Sequence, residues 1–495
     1  MPATKSSPRK RIASWLLRMR GSERAIDRAK FLIDSGDRDE TLRFLDYSSE
    51  VFENCSKLKC EAATFLFKLR EFPMAVEWLR RGGVAELGEE TVFQWSAEIE
   101  ADGDLQLAIK LLKIHLERAD HPADHDPSEI HYRIARLYRI LGDTEPTVEH
   151  VSLCLETGNY PNVLSIVCSL NGEKERTMLL DRVERFKSAA ELDGHHAARI
   201  NYAISDIYKH NGDFHSSAIH LGRARDENAA NANDGVNSND GDLIKPSFLI
   251  IGTMKSGTTG FYHTLCQHPQ VHAALRKEVR YFGDPKATDD WYFAHFPRLP
   301  QGQQGITGEA TPNYYALEVQ DQIQQTLPGV KLICLMRDPA QRAISQYFHG
   351  WRHGAIKRPI EKFFDQKTLD RLAAKPEQEL GEIVFHAGKG DLTFPPTLVF
   401  GMYVHYLRKW YQKFDPDRFL LLTLEEFSNR QSETIDRTCD FLGIDRTDPL
   451  ELTKPHRGVY NSDDENVQQV YQRLKDFYET PNKMLFEEFG IQFDS

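Results

Sequence analysis

The stretch FLIIGTMKSGTT, residues 248–259, constrains the chain more than any other. A short apolar run bounded by glycine reads as a buried strand. Four residues then separate Gly252 from Gly257, and the following segment, GTTGFYHTLCQHP, reads as a helix that stops before Pro269. A strand feeding a glycine-rich turn into a helix gathers backbone N–H groups and a positive helix end around an anion. The spacing is that of the P-loop G-x-x-x-x-G-K-[ST], but Thr258 stands where the lysine belongs, and a lysine lies inside the loop at 255. A phosphate or sulfate cradle is therefore predicted, with the hydroxyls of Thr258 and Thr259 in the first helical turn.

The rest of this half follows the same grammar. KLICLMR (331–337) and RFLLLTLEEF (418–427) read as further buried strands, each leading into a helix. Strands alternating with helices predict a parallel sheet flanked by helices, with ligands at the carboxyl ends of the strands. Asp338, at the end of the second strand, suits a magnesium-holding acid, but DPAQRAIS reads better as a helix start with Asp338 capping and Pro339 in the first turn.

Residues 27–225 have a different pattern. Apolar residues recur at helical spacing, as in LAIKLLKIHLERA (107–119), and no alternating strand run stands out. Gly-Asp turns at 103, 142 and 212 each sit between an apolar helix and a second helix start, 39 and then 70 residues apart. A period of about 35 residues resembles degenerate tetratricopeptide repeats. The expectation is an all-α helical repeat domain offering a surface to a protein partner. The run 226–242, DENAANANDGVNSNDGD, has almost nothing to bury and reads as a flexible linker to a second domain at 243–495.

Composition narrows the function classes. A net charge of −12 argues against general nucleic-acid binding. No apolar run approaches the ~18 residues of a membrane span. The basic segment 1–26 lacks the apolar stretch of a secretory signal. The seven cysteines form no CxxC pair and suit buried thiols in a reducing compartment, and no metal-ligand spacing emerges.

The C-terminal half resembles sulfotransferases that use 3′-phosphoadenosine 5′-phosphosulfate (PAPS). FLIIGTMKSGTT looks like their 5′-phosphosulfate loop, and LICLMRDPAQRAISQYFHGWRHG like their 3′-phosphate segment. KEVRYFGD, GEATPNYY, MYVHYLRKWYQKFDPDRFLLLTLEEF, DFLGI and PNKMLFEEFG follow in the order seen in heparan sulfate N- and 3-O-type sulfotransferases and bacterial relatives. The resemblance spans most of 246–492. It implies PAPS as donor, no metal, and a carbohydrate acceptor.

Carried over residue by residue, the resemblance assigns Lys255 to the leaving group and Glu278, in KEVRYF, to the general base. Burial beside Val279, Tyr281 and Phe282 is expected to raise the Glu278 pKa. The alternative for Glu278 is a carboxylate paired with Lys277 or Arg280. Ser256, Gly257, Thr258 and Thr259 cradle the 5′-phosphosulfate, Arg337 and Ser345 hold the 3′-phosphate, and Lys454, Arg457 and Gly458 are further nucleotide contacts. Arg337 paired with Asp338 or Glu309 is the bland alternative. Trp291, Tyr292, Phe296 and Tyr314 are candidates for the acceptor cleft, against plain core packing. His263, His268 and His272 are rival bases that read as structural. Two departures stand out: Ala310 in GEATP replaces a lysine of the 3-O-type enzymes, and a C-terminal cysteine pair is missing. The latter suggests a cytoplasmic setting. A P-loop kinase or NTPase, and a repeat scaffold with an inactive sulfotransferase fold, are the alternatives.

Overall fold

The computed structural model describes residues 28, 31–32, 39–41, 44, 56–83, 86–117, 127–157, 166–167, 170, 172–190, 192–232, 241–352, 355–388, 393–447, 450–451 and 464–493. The basic segment 1–26 and the loop carrying Lys454, Arg457 and Gly458 lie outside these residues. The chain divides into two compact units, 1–211 and 212–495.

Within the first unit lie the helices α1 Ser56–Lys68, α2 Phe72–Trp78, α3 Glu89–Ala101, α4 Leu105–Leu116, α5 Ser128–Leu141, α6 Thr144–Thr157, α7 Glu173–Ala189 and α8 Gly194–His210. Their periodic faces form the core. On α5, Ile130, Ile134 and Leu137 are all fully buried, a spacing of three to four residues that keeps them on one stripe. Phe67 of α1 stacks on Trp95 of α3 with ring centroids 4.1 Å apart. Two of the predicted Gly-Asp turns end α3 and α5, with Gly103 and Gly142 at φ of 93° and 81°. Asp104 then starts α4 by accepting from the Leu107 N–H at 3.0 Å.

The second unit carries β1 Asp242–Leu243, β2 Phe248–Gly252, β3 Val271–Ala273, β4 Arg298–Leu299, β5 Ile306–Glu309, β6 Lys331–Met336 and β7 Phe419–Thr423. The pair β1 and β4 is antiparallel. The main sheet is parallel in the order β3-β5-β2-β6-β7. All three strands predicted from apolar runs are present. The chain first builds to one side of β2 and then crosses to the other, so β2 sits where the winding reverses, the place where open α/β sheets hold ligands. Phe248, Ile250, Phe261, Leu265, Ile333, Leu335 and Leu422 share one apolar core behind the sheet.

One boundary differs from the sequence expectation. Helix α9, Phe214–Ala232, runs through residues 226–232, the first part of the segment expected as a linker. Its DENAANA stretch continues a helix already begun, and alanine is the strongest helix former. Moreover, α9 belongs to the second unit. Phe214 meets the edge of Trp291 at 5.4 Å, and Trp291 Nε1 donates to Ser217 Oγ at 2.9 Å. Trp291 lies on the short helix α11, Asp289–Phe293. No described helix is long and apolar enough to cross a membrane.

Phe214 is 6% exposed. Phe214→Ala should therefore destabilise the second unit by roughly 3 kcal/mol, the usual cost of emptying a buried phenylalanine site. Denaturant unfolding of the full chain, followed by hydrogen exchange over residues 289–296, checks this.

Candidate active site

The loop between β2 and helix α10, Thr258–Leu265, is shaped by its glycines. Gly257 precedes α10 at φ 80°, a left-handed conformation, and a side-chain carbon there would meet Leu424 Cδ1 at 2.6 Å. At Gly252 the same carbon would meet Tyr315 Cβ at 2.7 Å. Lys255 also holds a left-handed backbone, φ 68°. Such a conformation in a non-glycine residue is uncommon and marks a constrained loop. Ser256, expected to face the ligand, is wholly buried and turns its hydroxyl inward to Thr253 Oγ1 at 2.6 Å. Its side chain therefore shapes the loop. Thr258 is buried and Thr259 exposed.

Two arginines lie within electrostatic reach of Lys255 in this loop. Burial lowers the Lys255 pKa, and Arg352 and Arg337 lower it further, while Glu278 opposes them. Lys255, Glu278 and Arg337, picked from separate segments, thus share one electrostatic neighbourhood. Arg337 follows β6 and donates from Nη2 to Gln341 Oε1 at 2.9 Å, rather than pairing with Asp338 or Glu309. Asp338 accepts from the Gln341 N–H at 2.8 Å and so caps helix α12, Pro339–Arg352, as predicted. Ser345 lies on α12 with 9% exposure. Arg352 was not singled out from the sequence. The signal was available: it falls seven residues after Ser345, two turns along the same helix face.

Glu278 lies in the loop after β3 and is gripped on both oxygens. Lys277 Nζ donates to Oε1 at 3.2 Å and Arg280 Nη2 to Oε2 at 2.8 Å. Burial pushes its pKa up, but Lys277 and Arg280 outweigh that and the net direction is down. The expected upward shift is therefore corrected. The apolar neighbours are present, yet two adjacent cations stabilise the ionised form more strongly.

The loop is held from below by Glu309, a residue that sequence reasoning named only as a possible partner of Arg337. Glu309 ends β5 and is wholly buried. Its carboxylate accepts from the Val279 N–H at 3.1 Å, Thr311 Oγ1 at 2.5 Å and Tyr314 OH at 2.9 Å. Thr311 Oγ1 in turn accepts from Arg280 N at 3.2 Å, and Tyr314 OH from Tyr281 N at 2.8 Å and Phe282 N at 3.3 Å. Four successive amides thus converge on one carboxylate, directly or through a hydroxyl. The available signal was an acid among small residues in GEATP, at the end of a strand.

The four aromatics expected at an acceptor cleft are core residues. Trp291, Tyr292, Phe296 and Tyr314 are each at most 1% exposed. Tyr292 stacks on Tyr281 at 4.3 Å, Phe296 packs on Tyr292, and Tyr314 is committed to Glu309. Large rings in a short segment next to a sheet bury more area inward than a groove gives them. The exposed aromatic near the site is Trp351, 44% exposed and adjacent to Arg352. Ala310 is buried in the apolar core behind the sheet.

Among the rival bases, His268 uses both nitrogens internally: Nε2 donates to the Asp445 carbonyl at 2.8 Å and Nδ1 accepts from Gln270 N at 3.0 Å. His263 is exposed on α10, with burial and then Lys277 lowering its pKa. His272 lies on β3. Among the described residues, no group of three or more His, Cys, Asp or Glu is placed to hold a metal.

Burial lifts the Glu309 pKa to about 7, against its Thr311 and Tyr314 hydrogen bonds. A carboxyl raised in the folded state binds its proton more tightly than in the unfolded chain, so this group's contribution is full below about 4.5 and fades as pH rises through about 7. Glu309→Gln should flatten that part of the stability profile, measured as the denaturation midpoint between pH 4.5 and 8 (roughly the window set by linkage).

Residues 245–475 match the family described as "Sulfotransferase domain". Several characterised proteins are similar to this region. "Membrane-associated sulfotransferase kil1" of Dictyostelium discoideum is 38% identical over 128 residues, covering 25% of this chain and 27% of that protein. "Heparan sulfate glucosamine 3-O-sulfotransferase 6" of Mus musculus is 30% identical over 206 residues, covering 41% of this chain and 53% of its own length. "Bifunctional heparan sulfate N-deacetylase/N-sulfotransferase 2" of Homo sapiens is 26% identical over 210 residues, covering 40% and 22%. The chain thus spans about half or less of the length of these relatives.

Proposed function

Given a sulfotransferase domain over residues 245–475, we propose that the protein transfers a sulfonate from PAPS to a hydroxyl or amine of a carbohydrate. The observation that carries this reading is the glycine-shaped loop after β2, with Lys255 held left-handed in it and Arg337 and Arg352 within its electrostatic reach. Burial first, and then repulsion from Arg352 and Arg337, depresses the Lys255 amine. A phosphosulfate bound among them would neutralise that repulsion, which is the behaviour of a built anion site. Relatives with carbohydrate names support the acceptor class.

In this reading the α10 amides, Gly257, Thr258 and Thr259 cradle the 5′-phosphosulfate, and Arg337 and Ser345 hold the 3′-phosphate. Arginine is suited to that task because its planar fork matches phosphate oxygens. Lys454, Arg457 and Gly458 complete the nucleotide site from the loop outside the described residues. Reaction is an in-line displacement. The acceptor oxygen or nitrogen forms a bond to sulfur, and its proton passes to the ionised Glu278. The bond from sulfur to the bridging oxygen breaks, and its electron pair stays on the departing phosphate. Lys255 meets that growing charge. Trp351 and Arg352 replace the buried aromatics as the acceptor-side contacts, an aromatic face for a sugar ring beside a cation. The helical unit, on this view, is a tetratricopeptide-like surface for a partner.

The test is transfer of labelled sulfonate by the purified full chain across a glycan panel. Lys255→Ala should lower kcat by roughly 10²–10³-fold, the cost of removing one oriented electrostatic contact. Arg352→Ala should raise the KM for an anionic acceptor several-fold and the KM for PAPS by less, because the donor keeps Lys255, Arg337 and the α10 amides (an effect of roughly uniform-binding size). Stabilisation by ATP–Mg²⁺ but not by 3′-phosphoadenosine 5′-phosphate (PAP) would replace this reading with a kinase or NTPase. PAP binding without transfer to any glycan would leave a scaffold.

A further inference from the structure

Lys277 stands between the base and the phosphate loop. Its side chain is only 13% exposed. The amine donates to Glu278 Oε1 at 3.2 Å and to Thr258 Oγ1 at 3.3 Å. Its own carbonyl accepts from the Ala310 N–H at 2.8 Å, which ties this point of the loop to the end of β5. Three elements therefore meet at one residue: the head of α10, the Glu278 loop and the central sheet.

The direction of these hydrogen bonds matters. An ammonium only donates, so Thr258 Oγ1 is the acceptor in its bond with Lys277. The hydroxyl proton of Thr258 is then directed away from the amine. The same amine fixes the separation between Glu278 and that hydroxyl. Arg280 holds the other carboxylate oxygen, but its side chain is 64% exposed, so solvent screens its pull. The sheltered Lys277 contact is the stiffer of the two.

We propose that Lys277 is a positioning residue for sulfonate transfer, clamping Glu278 to the first turn of α10 and aiming the Thr258 hydroxyl at the donor. This rests on Glu278 being the base. Charged groups facing Glu278 are Lys277 and Arg280 from its own loop, Lys255 from the phosphate loop, and the buried Glu309 from the end of β5. Among them the Lys277 charge pulls hardest on the Glu278 carboxyl, holding it down against burial. Without it, burial dominates, and the carboxylate takes up its proton at higher pH.

The experiment compares Lys277→Met, Lys277→Arg and Glu278→Gln in the full chain, with PAPS and the best acceptor from the glycan panel. Lys277→Met should lower kcat by about 10²-fold, a general-base-sized loss, and move the acid limb of the pH–kcat/KM profile to higher pH. PAP affinity, read by calorimetry, should change less than about fivefold, since the nucleotide keeps its other contacts. Lys277→Arg should recover much of the rate and return the acid limb towards wild type. An unmoved acid limb in Lys277→Met, alongside an inactive Glu278→Gln, would overturn the clamp alone. Near-wild-type activity of Glu278→Gln would remove the base assignment and the clamp together. Should Lys277→Met fail to fold, Lys277→Arg decides: a wild-type acid limb supports the charge at this position, and a limb displaced upward overturns it.

Discussion

The Glu309 carboxylate organises the candidate site from beneath. A buried carboxylate is expensive unless its lone pairs are occupied. Here they are occupied by Val279, Thr311 and Tyr314, and the two hydroxyls pass the connection on to Arg280, Tyr281 and Phe282. The consequence is a loop whose backbone has no freedom to slide. Arg280 adopts φ 58°, a conformation that persists only where surroundings over-determine it. Glu278 is presented from that fixed frame, and so are the two cations that grip it.

Charge is distributed around the site with a clear asymmetry. Arg352 and Arg337 act on Lys255 against a single carboxylate, Glu278, which is itself held by two cations, Lys277 and Arg280. The chain as a whole is acidic, at net −12. A local cluster of cations in an otherwise acidic protein is a physical means of drawing in a small anion.

What could be read in the sequence was what depends on near neighbours. Apolar runs announced β2, β6 and β7, the glycine spacing announced the loop, and DPAQ announced the cap that Asp338 forms. The short strands β3 and β5 carry too few residues to show a pattern. The role of Glu309 depends on contacts about thirty residues distant (279 to 309), which periodicity does not encode. Trp291, Tyr292, Phe296 and Tyr314 illustrate a second blind spot: an aromatic residue suits a sugar and a core equally, and only the packing decides. Ser256 illustrates a third, since a hydroxyl in a phosphate loop can serve the loop itself.

Helix α9 has the sequence grammar of the helical half and the packing of the second unit. Its Gly-Asp start matches those of the helical half, yet Ser217 and Phe214 hold Trp291, and the family match begins only at residue 245. The unit of inheritance visible in sequence and the unit of physical cohesion therefore have different edges. Were the N-terminal helices exchanged for another domain, the exchange would have to leave residues from Gly212 onward in place. An evolutionary splice at the polar stretch before β1 would remove the residues that pack on Trp291. The join between the two halves is thus a seam that recombination can cross only on its N-terminal side.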